Sequence, residues 1–183
     1  MDAGRTAIGV CFAIVAISAI WDLVSMHIPN VLTLGGVALG IALRIALGYT
    51  EAGVPGALRG LAWAIAGVFL CGLLPIMSYR AGDVGGGDVK LFVAIGALCG
   101  PFLGFNVQAW TYGVIVLAVL PLRILVGGEA RATLGRAKLR FANLFRPAAE
   151  RVAVISPRLK SVPMGPSIFI GMCAAFTFHG VFR

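Results

Sequence analysis

Apolar stretches of about 20 residues, each long enough as a helix to cross the hydrocarbon core of a bilayer, follow one another along most of this chain. Read in windows of about 19 residues, the pattern predicts helices over 6 to 25, 31 to 48, 57 to 77, 89 to 104, 108 to 126 and 165 to 182. The fold class that follows is all-α: a polytopic membrane protein of about six transmembrane helices, a single domain over residues 1 to 183. Small residues four apart, Gly36 with Gly40, Gly56 with Gly60 and Gly96 with Gly100, predict helices whose backbones approach closely in lipid. One long polar connection, 128 to 162, separates the fifth span from the sixth. The stretch from Arg5 to Ile20, with the small residues Ala16 and Ser18, also fits a secretory signal, but the spans that continue after it favour an uncleaved first helix.

Composition agrees with this reading. The chain is 60% hydrophobic and 12% charged, against roughly 45 to 50% and 25% in an average soluble domain, which excludes an ordinary water-soluble globule. The net charge of +8 is concentrated rather than spread: Arg131, Arg136, Lys138, Arg140, Arg146, Arg151, Arg158 and Lys160 face only Glu129 and Glu150 in the polar connection. An excess of Lys and Arg in a short loop marks the cytoplasmic side. By alternation the 25 to 30 turn and the 78 to 88 loop are also cytoplasmic and both termini face outward. Arg80 and Lys90 agree with that orientation, whereas Arg5 and Arg59 oppose it. Leu134, Leu139, Phe141, Leu144 and Phe145 interleave with the loop cations, a pattern suited to lying on anionic lipid. No aromatic platform or nucleic-acid fold accompanies the charge, so no nucleic-acid partner is expected. Arg44 and Arg123 fall near span ends, where long side chains snorkel, and Trp21, Trp63 and Trp110 fit interfacial anchors. Cys11, Cys71, Cys99 and Cys173 are scattered through apolar stretches without a C-x-x-C pair, which suggests neither a disulfide framework nor a zinc cluster.

Of seven acidic residues, Asp2, Glu51, Glu129 and Glu150 lie at termini or in loops. Asp22, near the cytoplasmic end of an otherwise uncharged span, is costly to hold ionised without a partner or a proton. Asp88 follows Gly85-Gly86-Gly87 at the start of the fourth span and, by the topology above, lies at the same membrane face. Three glycines predict a pliable backbone with a strong bend, open to close approach by a ligand. The plainer alternative is a tight turn with Asp88 as the N-cap of the next helix. A phosphate-cradling loop is disfavoured, because the Walker spacing is missing and an aspartate repels an anion. Two carboxylates converging at one face suggest an aspartyl-protease pair that shares a proton, activates water and polarises a carbonyl. The helix dipole then assigns the proton first to Asp22, near a helix C-terminus, and the charge to Asp88, at a helix start, with titration belonging to the pair. Asp83 reads as a loop residue. His27 and His179 have no metal-ligand companions, and Ser25, Ser78, Ser156, Ser161 and Ser167 have no visible neighbouring base. No metal or organic cofactor is called for.

Asp22 with Ile28-Pro29-Asn30 downstream, Gly85-Gly86-Gly87-Asp88-Val89-Lys90-Leu91, and Pro163-Met164-Gly165-Pro166 opening the last span together resemble the type IV prepilin peptidases, membrane aspartyl proteases of the Gly-x-Gly-Asp class. The resemblance implies that Asp22 and Asp88 are the catalytic pair, that Gly85, Gly86 and Gly87 shape the second site or bind substrate, and that Lys90 occupies a motif position whose role is substrate binding, local structure or lipid contact. Two departures bear on substrate preference. Ser25-Met26-His27 stands where members often carry basic residues, and Met164 stands where an aromatic residue often precedes Gly-Pro. The few residues between the first two spans, and the lack of a cysteine cluster there, resemble the short, peptidase-only branch of the tight-adherence (Flp-type) pilus systems, without N-methyltransferase activity. The implied partner is an Flp-type prepilin, cut at the cytoplasmic face of the bacterial inner membrane. A small proton-coupled transporter or channel subunit is the rival reading, since lone intramembrane carboxylates and glycine-broken helices also mark ion pathways. The acids sit near one face rather than at the midplane, which argues against it. An assembly protein without activity is a third reading, and the sequence carries no signal for oligomeric state.

Overall fold

The computed structural model describes residues 3–81, 84–119 and 164–181, with positions 121, 135, 138, 139, 142, 143 and 146 between them. Most of the basic 128 to 162 connection, the end of the predicted fifth span, Asp83 and Arg123 therefore lie outside the described residues. Within them all regular structure is helical: α1 (Ala3–Ser25), α2 (Asn30–Ala81), α3 (Gly86–Cys99), α4 (Pro101–Val114), which runs on as a π-helical turn over Ile115–Val119, and α5 (Gly165–Phe178). Three stretches, Gly4–Ser25, Asn30–Arg80 and Pro101–Val119, are long and apolar enough to cross a membrane, and Gly165–Phe178 is a shorter apolar helix.

The predicted 31 to 48 and 57 to 77 spans both fall within α2, which is interrupted at Ala52 (φ −145°, ψ 24°) and Gly53 (φ 60°, ψ −142°). Gly53 takes a left-handed backbone angle that most side chains resist. Past this point the chain doubles back, so that Gly48 abuts the backbone of Gly56 and Gly60 that of Arg44. Pro55 falls at the start of the returning arm, where a missing N–H costs no helical bond. α2 is thus two antiparallel arms.

Both arms pack on α3. A Cβ on Gly36 would lie 3.2 Å from that of Ala94, and one on Gly40 would lie 3.0 Å from Ala97, while Gly67 of the returning arm abuts the backbone of Gly96. The small-residue spacing read in the sequence is therefore used at helix contacts, where close backbones gain van der Waals packing in place of a hydrophobic driving force that lipid does not provide. The predicted 89 to 104 span is shorter than expected. α3 ends at Cys99, because Gly100 adopts φ +81° and Pro101 opens α4. A Cβ on Gly104 would lie 3.2 Å from Gly96 Cα, so the chain folds back here too.

Arg44, near the end of the first arm, has a specific partner in the bundle. Its Nε and Nη2 donate to the carbonyl of Leu98 at 3.0 and 2.6 Å. The guanidinium thereby supplies donors to the last turn of α3, whose carbonyls have no partner within their own helix. The core joins Val15 of α1, Phe92, Ile95 and Leu98 of α3, and Ile168, Met172 and Phe176 of α5, with Ile28 from the turn after α1. Val24, Val31, Phe69, Phe102, Leu117 and Phe178 point outward and are exposed. So many exposed large apolar side chains fit a lipid surround and not water.

Candidate active site

α1 places Asp22 one turn before its end. The helix closes when the Met26 N–H donates to the Asp22 carbonyl at 2.9 Å, with Met26 itself at φ +54°. The chain then needs only Met26 to Pro29 to reach α2, which starts at Asn30. The Asp22 carboxyl is buried, and its Oδ2 accepts the backbone N–H of Gly165 at 2.8 Å. Gly165 is the first residue of α5, and the reason it is glycine is space: a Cβ there would lie 2.9 Å from Asp22 Cβ and 3.0 Å from Ala19 Cα. Distant in sequence, the third motif closes over the first aspartate.

Asp88 lies in the first turn of α3, whose N-cap is Gly85. Its Oδ2 accepts the Gly85 N–H at 3.2 Å, which is the return half of a capping box. Asp88 is thus the third residue of the helix and not its N-cap, and it accepts from the cap residue's N–H rather than from the first turn. The expected strong bend is absent. Gly85 is ordinarily extended (φ −72°, ψ 151°), Gly86 and Gly87 are already helical, and none of the three has a positive φ. Close approach explains two of them instead. A Cβ on Gly85 would come 3.0 Å from Asp88 Oδ2, and one on Gly87 would come 3.2 Å from Ile28 Cβ, whereas one on Gly86 would meet only Tyr79 at 3.7 Å.

Burial, first, and then the charge of Asp22 push the Asp88 carboxyl up to about 6, against the Gly85 N–H, which favours its anion. Desolvation at this partly buried helix start thus works against the helix dipole, which favours the Asp88 anion. Asp88 lies outside the three long apolar stretches. Lys90, one turn after Gly87, donates from Nζ to Asn30 Oδ1 at 2.7 Å.

The six sequence-derived candidates thus gather at one end of the helices: Asp22, Asp88, Gly85, Gly86, Gly87 and Lys90. Asn30 and Gly165 join them and were not singled out, although both stand inside the Ile-Pro-Asn and Met-Gly-Pro segments. His27 is exposed in the turn, and among the described residues no group of three or more His, Cys, Asp and Glu is arranged to hold a metal.

Residues 9–127 match the model of the type IV leader peptidase family, well over half of the chain. The chain belongs to that family. No match to a curated protein or to a solved structure accompanies it. Membership makes this a membrane-embedded, protease-family protein with a type IV leader peptidase-like function and a prepilin as the implied substrate. The matched span holds both aspartates and stops short of Pro163-Met164-Gly165-Pro166, so the contact of Gly165 with Asp22 ties a segment beyond it to the leader peptidase motifs.

Proposed function

We propose that this chain is a prepilin leader peptidase, a membrane aspartyl endopeptidase in which Asp22 and Asp88 share one proton and activate water. The observation that supports this reading is the gathering of Asp22 of α1, Asp88 of α3 and the Gly165 segment at one end of the helices, within a chain of the leader peptidase family. Like charges brought close resist double ionisation, so a singly protonated pair is the natural resting form. One carboxylate accepts a proton from water as its oxygen attacks the scissile carbonyl carbon; the partner acid donates to the carbonyl oxygen. Collapse of the tetrahedral intermediate breaks the C–N bond, the amine leaves with a proton, and the pair returns to its starting charge.

The substrate in this reading is an Flp-type prepilin cut at the cytoplasmic face, in an inner-membrane, multi-pass protein of six crossings and one domain. Two of those crossings are the arms of α2. The four residues between α1 and α2 leave no room there for the insertion that carries methyltransferase chemistry in larger members, which favours the peptidase-only branch. Gly85, Gly86 and Gly87 offer backbone unshielded by side chains beside Asp88, suited to an extended substrate whose carbonyls are no longer held in a helix. The basic 128 to 162 connection lies on anionic lipid in this scheme, since its sign repels a basic leader.

Co-expression of a candidate Flp-type prepilin with the native chain, Asp22→Asn and Asp88→Asn tests it, scored by pilin size and N-terminal sequence. The native chain cuts, and both variants, present at native levels in the membrane, leave the leader uncut. Cleavage by both variants overturns the mechanism.

A further inference from the structure

The 28 to 30 turn meets α3 through two contacts on one face. Gly87 and Lys90 are three residues apart, hence neighbours on the helix surface. Gly87 leaves the notch into which Ile28 packs, with Ile28 only 3% exposed. Lys90 reaches across to Asn30, 2.7 Å from Nζ to Oδ1. Asp88 stands two positions from Lys90 along the same helix, and side chains at that spacing do not face each other. The lysine is thus directed at the turn rather than at the carboxyl.

We propose that Asn30 and Lys90 are positioning residues, a polar latch that holds the end of α1 against the start of α3 and so sets the separation of the two aspartates. The mechanical argument is short. Asp22 is joined to the turn by the closing bond of α1, from the Met26 N–H, and only four residues separate α1 from α2. Fixing Ile28 and Asn30 on α3 therefore fixes the height at which Asp22 meets Asp88. Ile28 sets the depth of contact, but an apolar side chain in a notch tolerates sliding. A directional bond from Lys90 to Asn30 sets the register along α3. Water-accessible as it is, the bond is replaceable by solvent, so its loss loosens the pair rather than unfolding the chain. A misplacement on the order of 1 Å in a reacting constellation costs up to about a hundredfold in rate.

This inference rests on Asp22 and Asp88 being the catalytic pair, and the experiment separates the two. Purified native enzyme, Lys90→Met, Asn30→Ala, the double variant, the exchange Asn30→Lys with Lys90→Asn, and the conservative Asn30→Asp are compared on one prepilin peptide, with Asp22→Asn and Asp88→Asn in parallel. Each single loss lowers kcat about tenfold with KM within about twofold, the double variant is no worse than either single one, and the exchange and Asn30→Asp recover most of the loss. An increase in KM alone for Lys90→Met, additive losses in the double variant, or an exchange no better than the single variants overturns the latch and makes Lys90 a substrate contact or a purely local residue. If Lys90→Met fails to accumulate, Asn30→Ala against Asn30→Asp decides the same point, equal rates for the two overturning the latch. Dead aspartate variants beside latch variants at native kcat refute the latch alone. Aspartate variants that still cut refute the catalytic pair.

Discussion

At the scale of single residues, what distinguishes Asp22 from Asp88 is what surrounds each carboxyl. Asp22 is buried in the bundle and takes one backbone N–H from a helix that begins 143 residues later. Asp88 takes one from its own helix start and is raised to about 6 by burial and by Asp22. The sign of the second cause makes a prediction. Replacing Asp22 with Asn removes a negative charge, which makes ionising Asp88 easier. The midpoint of Asp88, followed by the carboxyl stretch in infrared spectra of isotope-labelled protein, falls below about 6 in that variant. It stays above the ordinary carboxylate range, because burial is the larger cause and remains. An unchanged midpoint would mean that the carboxyls do not interact. The dipole argument, applied to Asp88 from its position alone, pointed the other way, since desolvation depends on neighbours that sequence position does not name.

At the scale of elements, glycine decides how α3 is seated. Gly87 lets Ile28 in, Gly96 meets the backbone at Gly67, and Gly100 turns the chain with a positive φ. Gly86 has none of these constraints. Gly86→Ala should therefore accumulate in membranes and resist heat as the native chain does, while Gly96→Val, which drives side-chain atoms into the Gly67 backbone, should lose folded protein, a steric fault of the kind that exceeds about 2 kcal/mol. Fluorescence-detected size-exclusion after heating reads both. Equal stability of the two variants would contradict the packing described. That Gly96 and Gly100 lie at close contacts was legible in their spacing of four; that Gly87 and Gly67 do, and which partner each glycine meets, was not, because spacing carries no information about the facing helix. The break at Gly100 was likewise hidden inside one apolar run, where hydropathy continues across a turn that only the backbone angle reveals.

At the scale of the whole molecule, the exposed apolar faces fit a lipid surround, and all three motifs gather at one end of the helices. In the six-crossing reading, the turn at Gly53 lies on the opposite side from Asp22 and Asp88. A cysteine placed at Gly53 should react with an impermeant maleimide added from outside intact cells, and one at Ser25 should react only after the membrane is opened. The reverse pattern would invert the topology and remove the cytoplasmic assignment of the site. Cys11, Cys71 and Cys99 are buried, which keeps their background low.

The residues by themselves determined the class of this protein. A chain 60% hydrophobic, in runs near the thickness of a bilayer, has no stable alternative to helices in lipid, because every backbone polar group must be satisfied within the segment. They also singled out Asp22 as a candidate, since an aspartate in an otherwise uncharged apolar span must be paired or protonated. Tertiary structure decided the rest: that Gly165 closes on Asp22, that Lys90 reaches Asn30, and that Arg44 donates to the Leu98 carbonyl in the last turn of α3. Each joins positions 54 to 143 residues apart in the chain. A contact of that kind depends on how helices pack and cross, which local pattern does not encode.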